Sequence, residues 1–183
     1  MTQKHVRLAA VALLAFYGIV CLRSPSAGRL LDGVDLAIHE SGHLVFSPLG
    51  EVLTVLGGTL FQLIIPATFV AYFWRRKDRF AAAFPLWWVA QNLWNISVYV
   101  ADARAELLPL AGGGEHDWAY LLGRAGWLAR DVALGQAVHA TGVATFSVAI
   151  LMAAANASTK LDAGAAEEII PPASDSAARS LTG

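Results

Sequence analysis

"DLAIHESGHLVF", Asp35 to Phe46, decides how this chain is read. Within it His39, Glu40 and His43 have the H-E-x-x-H spacing that binds zinc from one helix. Residues four apart on an α-helix are separated by about 40° and one turn. His39 and His43 therefore share a face and can share one ion. Glu40 lies about 100° round from His39, near enough to reach a water on that ion without being an evident ligand. Such a spacing serves hydrolysis, because two imidazoles hold Zn²⁺ while the carboxylate takes a proton from the water beside it. A purely structural zinc site has no use for that base.

The motif sits in an unusually apolar chain. Hydrophobic residues make up 56% of the 183 residues and charged residues 15%, against about 25% charged in an ordinary soluble domain. This composition predicts an all-α membrane protein. The net charge of −1 offers no basic footprint, so nucleic acid is not an expected partner. The lone cysteine, Cys21, allows no internal disulfide. Packed histidines could spell the same letters, but ionisable groups inside a membrane segment cost a few kcal/mol each and are rarely idle.

Working outward, the sequence predicts about four spanning helices and one short one, in a membrane domain over residues 1–155. The spans are Leu8–Leu22, Val52–Trp74, Phe80–Val100 and Val132–Ala155. The first, flanked by Lys4, Arg7 and Arg23, reads as an uncleaved signal anchor in preference to a cleaved signal peptide. The histidine helix, Val34–Leu49, would be about 24 Å long, short of the ~30 Å hydrocarbon core. It is expected to dip in and return. A polar loop is expected over residues 101–131 and a disordered tail over residues 156–183. "RRKDR", Arg75 to Arg79, carries the densest positive charge and should be cytoplasmic together with Lys4 and Arg7. The tryptophans Trp87, Trp88, Trp94, Trp118 and Trp127 suggest interfacial belts.

A zinc site needs a third protein ligand and an open position for water. In "GGGEHDW", Gly112 to Trp118, His116 is the favoured candidate, with Asp117 as its orienting partner or as the alternative ligand. The same letters read equally well as a glycine turn with a helix start near Asp117. Gln91, Asn95, Tyr99 and Asp102 line one helical face, and Asp102 at its end is a further candidate ligand. The amides Gln91, Asn92 and Gln62 read as groups that bond helices to one another or line the site. Arg104 is positioned to balance Asp102 or Glu106. His5 reads as solvent-facing and His139 as a helix–helix hydrogen-bonding group.

"HESGH" on an apolar helix, followed by "LGGTLFQLIIP" in the next span, resembles the membrane-embedded zinc metalloproteases of the site-2 protease class, most closely their small M50B-like bacterial relatives. The resemblance covers Asp35 to about Pro66. It implies Zn²⁺ as cofactor, Glu40 as catalytic base, His39 and His43 as ligands, and a peptidase cutting membrane proteins or peptides at or within the lipid bilayer. It also implies an integral protein of a bacterial inner membrane. In that class the third ligand is an aspartate of an L-D-G-type motif on a later span. Here "LDG" occurs at Leu31–Gly33, before the histidines. A zinc-binding membrane protein without catalysis, a sensor or assembly factor, is the alternative.

Overall fold

The computed structural model describes residues 3–25, 27–110 and 115–158. Among these the chain is all helical: α1 (Gln3–Arg23), α2 (Leu30–Phe46), α3 (Glu51–Arg75), α4 (Arg79–Ala101), α5 (Asp117–Arg124) and α6 (Asp131–Asn156). Short 3-10 turns at Ser47–Leu49 and Leu128–Arg130 precede α3 and α6. Both internal prolines, Pro66 in α3 and Pro85 in α4, lie within helices that continue past them.

Among the described residues three helices are long and apolar enough to cross a membrane: α1, α3, and α6 with its preceding turn. The fourth expected span, α4, has the length, at 23 residues, but Gln91, Asn92, Asn95 and Ser97 interrupt its apolar sequence. Its position explains this. α4 packs mainly on α6 and also on α3 and α1, and it buries Ala82, Ala83, Ala90, Trp94, Ile96 and Val100. A helix surrounded by other helices can carry amides, because its polar groups meet protein instead of hydrocarbon. The outer helices reverse the pattern and expose Leu13, Phe16, Phe69, Val148 and Leu151.

The tryptophans also depart from expectation. Trp94, 1% exposed, and Trp87 are core residues. Trp87 stacks on Tyr17 at 5.6 Å and Trp94 lies against Phe146 at 5.4 Å. Trp88 donates its indole N–H to Asp35, so these three rings fill and pin the bundle instead of forming a belt. Their spacing in α4 follows the helix face turned to α1, α2 and α6.

The positive clusters expected on one side do gather at one end of the bundle. The Arg7 guanidinium lies 4.6 Å over the Phe80 ring, and Val11 packs with Ala83 and Ala153. The start of α1, the end of α3, the start of α4 and the end of α6 therefore share an end.

α2 is held by two kinds of contact. Against α4 it presents carboxylates. Asp32 Oδ1 accepts from Gln91 Nε2 and Asn95 Nδ2, each at 2.9 Å, and Asp35 Oδ1 accepts from Trp88 Nε1 at 2.7 Å. Against α3 it presents Gly42, whose missing side chain lets the backbones touch. A Cβ there would collide with the Gly57 carbonyl oxygen and stand 2.7 Å from Phe61 Cβ. Gly50, at φ +94°, makes the turn between the two helices in a conformation that other residues resist.

The expected polar loop over residues 101–131 contains α5 and the turn at Leu128–Arg130. Its glycine run, residues 112–114, and nearly all of the expected tail lie outside the described residues. Arg104 pairs with Asp131 at 3.2 Å, not with Asp102 or Glu106, which ties the loop to the first turn of α6.

Gly42→Ala should force α2 and α3 apart, because the obstacle is backbone and cannot rotate away. A loss of about 1–3 kcal/mol, typical of overpacking, is expected. It should appear as a lower thermal midpoint of the detergent-solubilised protein; an unchanged midpoint would show that the helices are not in this contact.

Candidate metal centre

His39 and His43 stand on the face of α2 turned towards α3, and each ring is fixed through its Nδ1. His39 Nδ1 lies 3.2 Å from Gln62 Oε1, and His43 Nδ1 lies 2.9 Å from the backbone oxygen of Thr54. A carbonyl oxygen can only accept, so both Nδ1 atoms donate. A neutral imidazole then has its lone pair at Nε2. The rings pack edge to face with centroids 4.9 Å apart. Gly58 of α3 lies directly beneath them, and a Cβ there would be 2.5 Å from His39 Nε2 and 2.7 Å from His43 Nε2.

A third group arrives from outside this helix pair. Asp117, the first residue of α5, brings Oδ2 to 2.9 Å from His39 Nε2 and 3.4 Å from His43 Nε2. A carboxylate oxygen beside two lone-pair nitrogens is unfavourable unless a cation or proton lies between them. Ligands bonded at 2.0–2.1 Å in a tetrahedron stand roughly 3.4 Å apart, the spacing to which these contacts are close. His39, Glu40 and His43 likewise form a group whose ligand atoms lie within 4.8 Å of one another and which could hold a metal ion.

His116, favoured on sequence grounds as the third ligand, is turned elsewhere. It is the N-cap of α5, and its Nδ1 accepts from Ala119 N at 3.3 Å. Its Nε2 faces Asp102 Oδ2 at 3.5 Å, and its ring packs on Tyr99 at 4.2 Å. At 2% exposure it is a buried strut beneath α5. The reason is local. The cap and first residue of a helix point to different sides, so capping by His116 leaves Asp117 to face the histidine pair. Asp102 is also engaged, accepting from the backbone N–H of Leu107 and Leu108 at the end of α4. His5 and His139 do not line the cavity.

The histidines open into a cavity of about 670 Å³ bounded by α2, α3, α4 and α5, with Glu40, Asp117, Tyr99, Tyr120 and Asn95 in its wall. Glu40 is exposed there. Asp35 and Asp32 lie along the same wall, about one and two turns of α2 before His39. The chemistry available is thus a cation-seeking trio of side chains with a free carboxylate next to it.

Thr54 and Gly58 were not legible as site residues. One acts through its backbone and the other through lacking a side chain. The Gly-Gly pair in "LGGT" was the available signal.

Gly58→Ala tests the floor of this centre. Both rings are fixed from behind, so the added methyl should displace the Nε2 atoms and lower divalent-metal affinity at least about tenfold, as changes just outside a metal's ligand shell do. Metal titration and a thermal melt would separate this from unfolding. Wild-type affinity in the variant would show that the Nε2 atoms are not where a metal binds.

No protein-family model matches the chain, and no curated protein or solved structure matches it.

Proposed function

We propose that the chain is a zinc hydrolase embedded in a bacterial inner membrane, with His39, His43 and Asp117 as ligands, Glu40 as general base, and peptides or membrane proteins as substrates. The observation that carries this reading is the set of three lone-pair atoms, His39 Nε2, His43 Nε2 and Asp117 Oδ2, converging beside Glu40 in an open cavity. Two histidines and one carboxylate form a known catalytic zinc set that keeps a position open. Zinc would supply Lewis acidity and lower the pKa of a bound water to about 7.

The chain's own residues supply the rest. Gln62 and the Thr54 carbonyl orient the imidazoles through Nδ1. Glu40 accepts the water proton and returns it to the leaving group. The resemblance of "HESGH" to the site-2 protease class favours peptide bonds as the target. Asp117, from a short helix after the fourth long one, takes the part that the class gives to an aspartate within a later span.

In the membrane, four helices cross and α2 enters and returns from one face. The shared end of Arg7, Phe80 and Ala153 supports a single positively charged cytoplasmic side. The metal centre then opens towards the opposite side.

Zinc content and turnover test the site. Wild type should carry about one zinc per chain. Asp117→Ala should lose it, while Asp102→Ala, at the other candidate carboxylate, should keep it. Glu40→Gln should retain zinc and lower hydrolysis about 10²-fold or more, read as proteins accumulating in membranes of cells that carry the variant. Zinc retained in Asp117→Ala would refute the ligand set. An unchanged membrane proteome with zinc bound would favour the non-catalytic alternative.

Sidedness is tested with Cys21 replaced by serine and single cysteines at Asp78 or Glu115. Asp78→Cys should be shielded from an impermeant reagent added outside, and Glu115→Cys should react. Reaction of both from outside would reverse the orientation.

A further inference from the structure

We infer that Tyr99 is a further catalytic residue, whose phenolic hydrogen donates to the oxygen of the substrate carbonyl as that oxygen becomes negative. The role presupposes the hydrolase reading above and adds the group that stabilises charge on the substrate side.

Tyr99 sits near the end of α4 and in the cavity wall, its ring edge-to-face with that of His39 at 6.0 Å between centroids. Its oxygen is already occupied as an acceptor. The backbone N–H of Asp117 donates to it at 3.1 Å. A phenol has one hydrogen to give, and with the Asp117 N–H filling the acceptor side, that hydrogen is left for a partner in the cavity. The ring cannot readily swing away, because His116 packs on it at 4.2 Å and His116 is itself bonded to Ala119 N and faces Asp102. The residue that would bind metal is thus joined through its backbone to the residue that would bind the substrate oxygen.

The chemistry requires such a donor. When a water oxygen bonds to the carbonyl carbon, its proton goes to Glu40 and the π pair of the carbonyl moves onto the carbonyl oxygen. The C–N bond then breaks, its electron pair leaves with nitrogen, and nitrogen takes the proton held by Glu40. Charge therefore develops on the carbonyl oxygen between the two steps, and a fixed hydrogen-bond donor aimed at it lowers the barrier. Glu40 and Asp117 are carboxylates and cannot serve while ionised. Tyr99 is a neutral donor in the same wall.

A test that needs no known substrate uses the full chain in detergent, loaded with cobalt(II), whose visible spectrum reports its ligands. Acetohydroxamate, an anionic oxygen chelator, is titrated into wild type and Tyr99→Phe, and imidazole is titrated in parallel as a neutral ligand with no oxygen to accept. Tyr99→Phe should bind cobalt and imidazole as wild type does and bind acetohydroxamate about tenfold more weakly, the worth of a hydrogen bond to a charged group. Unchanged hydroxamate affinity would overturn the role, as would hydroxamate and imidazole weakening together, which would mark Tyr99 as a mere prop for Asp117. Wild type that takes up no cobalt would overturn the metal centre itself and this role with it. Should Tyr99→Phe fail to fold, a monofluorinated tyrosine at position 99, kept protonated by the pH of the assay, retains shape and strengthens the donor. Hydroxamate binding should then tighten, and its failure to do so would overturn the role.

Discussion

The arrangement depends on one requirement: the polar face of α2 must find partners inside an apolar bundle. Asp32, Asp35, His39 and His43 all lie on a 17-residue helix, and each unsatisfied buried group would cost a few kcal/mol. α4 supplies donors from Trp88, Gln91 and Asn95, and α3 supplies acceptors from Gln62 and the Thr54 carbonyl. These bonds fix α2 in rotation as well as in depth. A rotation of one residue would break most of them together, so the imidazoles are oriented by protein contacts alone.

That requirement also accounts for the composition of α4. Its amides and indoles lower its apolarity, yet they are the donors on which α2 rests. The helix tolerates them because α6, α3 and α1 enclose it. The apolar sequence of the outer helices and the mixed sequence of α4 are thus two sides of one division of labour. The outer helices present apolar side chains outward, and the inner one binds the helix that carries the histidines.

Much of this was legible in the sequence. Helical character, the long apolar segments and the shared face of His39 and His43 follow from run length and from the 3.6-residue period. Gln91 read correctly as a group bonding one helix to another, whereas Asn92 bonds back to the Trp88 carbonyl of its own helix. What could not be read were effects of tertiary placement. The choice between His116 and Asp117 depends on which one caps α5, and a difference of one residue reverses the side that each faces. The burial of Trp87 and Trp94 depends on α4 being central, which no local pattern encodes. The functions of Gly58 and the Thr54 carbonyl leave no side-chain signature at all.

The attachment of α5 has a thermodynamic consequence. Its first residue meets the bundle carboxylate-first, against two nitrogens whose own hydrogens are committed behind them. Such a contact needs a cation or a proton between the acceptors. On the proposed reading, docking of α5 and uptake of a cation would be one linked equilibrium. In the proposed holoprotein, an ion present at a hundred times its dissociation constant would favour the closed arrangement by about 2.7 kcal/mol. In that holoprotein α5 would serve as a latch whose hold is set by ion concentration, while the long helices keep their packing through bonds of their own.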